Sequence, residues 1–171
     1  MYDSIAVDGG ITAYWATHLT EFSMSTAPLK TLFPAGGFAL HGMSKIFGSV
    51  GIAGAFYATA KKNKKKIVAG LLIPATLTAI VAGVTEPLEF TFLFIAPLLF
   101  AVHAVLAATL SATAYIFGVV GNFGGGLIEW ASLNWIPLFS SHGGTYIKQI
   151  AIGLVFTGIY FVVFRTLILK L

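Results

Sequence analysis

GVTEPLEF, residues 83–90, sets two carboxylates, Glu86 and Glu89, inside an otherwise apolar run from Ile67 to Leu110. A carboxylate at bilayer depth costs roughly 2.5 to 3.5 kcal/mol on insertion scales, so intramembrane acids face a cavity, a partner or a substrate path. Thr85 and Pro87 flank Glu86. Proline removes a backbone donor and turns the residue before it away from helix, so the chain must break here. Two geometries fit: an outward crossing that leaves Glu86 near the far surface, or two half-helices meeting at a turn within the membrane. Irregular backbone at depth requires burial by protein or a cavity.

The surrounding composition selects a membrane protein. Hydrophobic residues make up 57% of the 171 and charged residues 9%, with a mean hydropathy of +0.90, against about 25% charged in soluble domains. The length allows roughly four or five crossings of about 20 residues each. The expected fold class is an all-α polytopic membrane protein, with transmembrane helices and a re-entrant helical hairpin. No cysteine is present, which excludes disulfides, thiolate metal sites and cysteine nucleophiles. The polar start, with Asp3, Asp8, Gly9 and Gly10, has neither the basic nor the apolar region of a signal peptide.

The net charge is +4, and five of the ten basic residues fall in one hexapeptide, Lys61 to Lys66. Lysine runs can bind nucleic acid, but this one is a tight connection between apolar segments. The positive-inside rule explains it as a cytoplasmic loop, and nucleic acid is not expected as a partner.

Working outward, residues 1–32 read as interfacial or loop, with Tyr14 and Trp15 at the headgroup level and His18 beside them. Residues 33–60 form a broken or re-entrant span interrupted by His41, Ser44 and Lys45. In its second half Gly48, Gly51, Gly54 and Ala58 line one helical face, which suits close helix packing; this stripe is expected to meet the hairpin. Residues 61–66 are the basic loop, and 67–110 the hairpin around 83–87 with the following helix. Residues 111–145 read as a helix end and loop, holding GNFGGG (121–126), Glu129, Trp130, Trp135 and His142. The last span is 146–164, followed by Arg165 and Lys170.

A broken element with a carboxylate at its tip is the kind of polar site transporters build from freed backbone and half-helix ends. A sugar suits it, because a carboxylate accepts two hydroxyl hydrogen bonds and charge-assisted bonds are roughly twice as strong as neutral ones. The plain alternative is a surface glutamate in an external loop. Glu89 is expected to satisfy freed donors at the start of the next helix. His41 and His103 show no metal-ligand spacing, so neither a metal nor a cofactor is expected. His18 and His142 read as interfacial. GNFGGG lacks the Gly-Lys-Ser and preceding strand of a phosphate loop, and no catalytic residues are assigned.

GVTEPLEFTFLFIAP, residues 83–97, resembles the G-I-T-E-P signature, with its following E-F-x-F-x-x-x-x-P, of the membrane EIIC domain of phosphotransferase system sugar permeases, in the glucose, maltose and alpha-glucoside branch. LFPAGGFALHGMSKIFGSVGIAGAFYATAKK, residues 32–62, is similar to the segment preceding it there. The resemblance covers nearly the whole chain. It implies that residues 1–171 are the carboxy-terminal part of an EIIC domain, without EIIB or EIIA, and that Glu86 binds sugar hydroxyls at a hairpin tip shaped by Thr85 and Pro87. It also implies elevator-like movement against a dimeric scaffold and phosphorylation of the sugar by a phosphocysteine on EIIB, which this chain lacks. The implied partners are the sugar, EIIB, the remainder of EIIC, a second copy in the full-length protein and the lipid bilayer, in the bacterial cytoplasmic membrane. Rival readings are a proton-coupled secondary transporter relaying through Glu86 and Glu89, and an inactive fragment.

Overall fold

The computed structural model describes residues 10–94 and 96–171, and every described element is helical. Asp3, Asp8 and Gly9, on which the reading of the polar start rests together with Gly10, lie outside the described residues. Helices α1 (Gly10–Thr17), α2 (Leu19–Met24) and α3 (Leu29–Leu32) lead into a 3₁₀ segment, Pro34–His41, and a π-helical turn, Ser44–Gly48. After these come α4 (Ser49–Thr59), α5 (Lys65–Ala82), α6 (Glu86–Leu93), α7 (Pro97–Ile116), α8 (Leu127–Trp130), a second π turn (Ala131–Trp135) and α9 (Ile136–Ile168). Among the described residues three helical stretches, Lys62–Ala82, Pro97–Ile116 and Leu127–Ile168, are long and apolar enough to cross a membrane.

Small residues decide the main packing. A Cβ on Gly51 would lie 2.6 Å from the Thr157 carbonyl oxygen, and one on Gly54 would lie 3.2 Å from the Phe161 ring. Thr157 Oγ1 also donates to the Phe47 carbonyl at 3.0 Å. Contact this close between backbones is what a small-residue stripe permits. The stripe therefore serves α9 rather than the hairpin, although α4 also lies beside α5. Ala58 is exposed and stands outside it.

Two further expectations change. Trp15 is not at a headgroup surface: it is 0% exposed, packed at a tilt against Phe22 and Phe33 at centroid distances of 4.9 and 5.8 Å, and its Nε1 donates to the Leu133 carbonyl at 2.7 Å. A buried indole that finds an acceptor keeps its apolar gain without an orphaned donor. The 127–145 stretch is helical rather than loop-like, and its helix bends at His142 (φ −126°, ψ 21°). There His142 is buried and its Nε2 donates to the Phe22 carbonyl at 2.9 Å, so it joins the start of the chain to α9 instead of sitting at an interface.

Candidate functional site

The 83–87 turn is built by glycine and proline in succession. α5 continues through Pro74, where the missing N–H leaves one rung of the helix open, and stops at Gly83. Gly83 takes φ +76°, the left-handed helix cap, and its N–H bonds to the Ala79 carbonyl at 3.0 Å. Thr85 then caps α6: its carbonyl accepts from Leu88 N at 3.0 Å and Glu89 N at 2.9 Å. Pro87 falls in the first turn of α6, where its absent donor costs nothing.

This sequence presents Glu86 at the first position of α6, where its charge is favoured by the helix N-terminus. Glu86 and Pro87 are exposed and Thr85 is half-buried, so the described residues bring the three together at one turn but do not enclose them. A recess of about 400 Å³ lies on the neighbouring side, lined by Val81, Ala82, Gly126, Ile128, Glu129 and Ser132.

Glu89 does not cap freed backbone. Its Oε1 lies 3.5 Å from Nε2 of His103 on α7, with the side chains 22% and 12% exposed respectively. The pair joins α6 to α7, and the rings of Phe92 and Tyr160 lie against His103 at centroid distances of 6.3 and 5.7 Å. Glu89 thus has a partner of its own in His103. His41, at the end of the 3₁₀ segment, is exposed, with Nδ1 3.1 Å from the Phe38 carbonyl.

What sequence reasoning missed is the support beneath the turn. A Cβ on Gly83 would lie 2.6 Å from the Gly125 carbonyl carbon and 2.7 Å from Gly126 N, and one on Gly126 would run into the Val81 carbonyl. Gly42, where the 3₁₀ segment passes toward the π turn, is pressed harder still against the Phe123 carbonyl, and a Cβ on Gly36 would lie 3.1 Å from Gly121 N. The glycine loop 121–126 is therefore the place where the 34–42 segment and the 83–87 turn both rest, backbone on backbone.

Side chains from the following helix hold that loop. Asn134 donates through Nδ2 to the Asn122 carbonyl at 2.7 Å and accepts from Asn122 N at 3.0 Å. Glu129 Oε1 accepts from Asn122 Nδ2 at 3.0 Å and from Gly125 N at 3.2 Å. Trp130 Nε1 donates to the Phe123 carbonyl at 3.2 Å, and Thr12 Oγ1 to Asn122 Oδ1 at 3.1 Å. An acid three residues after a helix-starting glycine was the available signal, since such a residue reaches back to the backbone before its helix.

The family described as "Phosphotransferase system, EIIC" matches residues 1–108. The maltose-specific EIICB component of the phosphotransferase system of Bacillus subtilis (strain 168) is 72% identical over 170 residues, 99% of this chain and 32% of that protein. The alpha-glucoside-specific EIICB component of Klebsiella pneumoniae is 65% identical over 172 residues, 100% of this chain and 32% of that protein. The phosphotransferase IIC component GlvC of Escherichia coli (strain K12) is 68% identical over 129 residues, 75% of this chain and 35% of that protein. The chain spans about a third of the length of the relatives it matches.

Proposed function

We propose, for a chain that belongs to the EIIC family of the phosphotransferase system, that it forms the sugar-translocating segment of a permease in the bacterial cytoplasmic membrane. The sugar is a glucose-containing one, maltose or another alpha-glucoside, taken up as EIIB phosphorylates it. The remainder of EIIC completes the site, and the full-length protein works as a homodimer.

The observation that carries this reading is the turn at Gly83 to Pro87. Its left-handed glycine and its proline hand over from one helix to the next within a few residues, and they leave one carboxylate, Glu86, exposed at a helix start. An ionised carboxylate there offers two acceptor oxygens to adjacent hydroxyls. Thr85 and Pro87 shape the backbone that aims it. The identity to maltose-specific and alpha-glucoside-specific components supports the choice of sugar.

The rival relay through Glu86 and Glu89 is not favoured, because Glu89 is engaged with His103. Uptake by this segment within a full-length permease should yield phosphorylated sugar inside the cell and depend on the upstream phosphocarrier proteins. In the same protein Glu86→Gln should weaken maltose binding by about tenfold or more, because one charge-assisted acceptor becomes neutral. Normal affinity and uptake in that variant would remove Glu86 from the site.

A further inference from the structure

We infer that Glu129 is a positioning residue for the 83–87 turn: it fixes the glycine loop on which the turn is seated, and so sets where the Glu86 carboxylate stands. The inference rests on the sugar-binding reading of Glu86.

Gly83 touches Gly125 and Gly126 with no side chain between them, so the position of the turn is the position of those two peptide units. A run of glycines has more backbone freedom than any other sequence and does not hold a shape by itself. Most of the hydrogen bonds that hold this one come from the helix that follows, and one comes from Thr12 on α1. Asn134 secures the loop's beginning through both backbone groups of Asn122. Glu129 secures its end: a single carboxylate oxygen receives the Gly125 N–H and the Asn122 side-chain amide. Bonds to an ionised acceptor are the stronger kind.

Gly125 has to be glycine for the same reason, because a Cβ there would run into Glu129 Oε2. Glu129 is also the acid in the wall of the recess beside the turn, where it shares the lining with Val81 and Ala82 from the end of α5. The carboxylate thus ties the glycine loop to α8, and that loop in turn meets the end of α5 through Gly83 and Val81. Release of Gly125 from Glu129 takes away the surface against which Gly83 is pressed, and Glu86 is three residues further along.

The test uses a full-length permease carrying this segment, purified in detergent, with maltose as the probe. Titration calorimetry gives affinity, and hydrogen–deuterium exchange without sugar gives local opening. Glu129→Ala is expected to weaken maltose binding about tenfold and to speed exchange in peptides covering 83–87 and 121–126 alone. Glu129→Gln keeps an acceptor oxygen and should stay within about threefold of the parent. Unchanged affinity in Glu129→Ala, or faster exchange spread over the whole protein, overturns the inference, the second because it marks a merely structural role.

If Glu129→Ala does not accumulate, Glu129→Asp, which withdraws the carboxylate by one methylene, is read by the same two outcomes. Glu86→Gln runs in parallel. Parent-like affinity in that variant defeats the sugar-binding reading, whereas a loss there together with an unaffected Glu129→Ala defeats only the positioning role.

Discussion

Gly83 and Gly125 meet at a distance that leaves no room for a side chain on Gly83: a Cβ there would sit 2.6 Å from the Gly125 carbonyl carbon. Residues 42 apart in sequence are thereby fixed to each other through main chain alone. Gly83 also needs φ +76°, so two independent demands fall on one residue.

Gly83→Ala is accordingly expected to be the most damaging single-methyl substitution in α5 and its cap. The left-handed backbone costs about 1–2 kcal/mol for a residue with a Cβ, and the clash with Gly125 adds to it. Gly70→Ala is the control: Gly70 is helical, and a Cβ there meets nothing within 4 Å, so alanine should be neutral or stabilising by up to about 1 kcal/mol. Thermal unfolding of the two variants in detergent, and maltose binding in the full-length protein, check the contrast. Similar melting temperatures for both would refute it.

Trp15 offers a test of the amino-terminal packing. Trp15→Phe keeps an aromatic ring but strands the Leu133 carbonyl that accepted from Nε1, which should cost about 1–3 kcal/mol. Trp15→Ala should cost more, about 3–5 kcal/mol, because it empties a fully buried site. Denaturation in mixed detergent and denaturing surfactant ranks the two, and equal stability of the alanine variant and the parent would mean that the ring is not packed as described.

The Glu89–His103 pair predicts non-additivity. Glu89→Ala and His103→Ala each remove the same contact between α6 and α7, so the double variant should lose less stability than the two singles together. The coupling expected for a partly exposed pair is about 0.5–1 kcal/mol. A double-mutant cycle that sums to zero would show that the two groups merely lie near each other.

Much of this architecture could be read from residue order. The apolar runs and the sparse charges required helices of membrane length, and Glu86 and Pro87 marked the break between α5 and α6, whereas the Gly83 cap did not stand out. The lysine run marked the boundary of α5, though the helix starts inside it, at Lys65. Trp15 could not be placed in this way: its acceptor is Leu133, 118 residues away, and an aromatic beside a polar segment fits a headgroup surface equally well.

The helical course from Leu127 to Ile168 was hidden for a different reason. Gly143, Gly144, Ser140 and Ser141 are poor helix formers in isolation, and tertiary packing overrides such preferences. At the candidate site, Glu86, Thr85 and Pro87 were legible as candidates because a signature holds them adjacent. Glu129 was not, because its task depends on a loop touching a turn some forty residues earlier. A helix apolar on all sides also carries no periodic sign of which face is covered, which is why the glycine stripe of α4 could be recognised without revealing that its neighbour is α9.

The seating of 83–87 on 121–126 has a mechanical meaning. Side chains can rotate to accommodate a sliding neighbour, but main chain laid on main chain has no such slack. Any travel of the α5–α6 corner across a bilayer must then bring the glycine loop and the root of α8 along as cargo, or else detach from them completely.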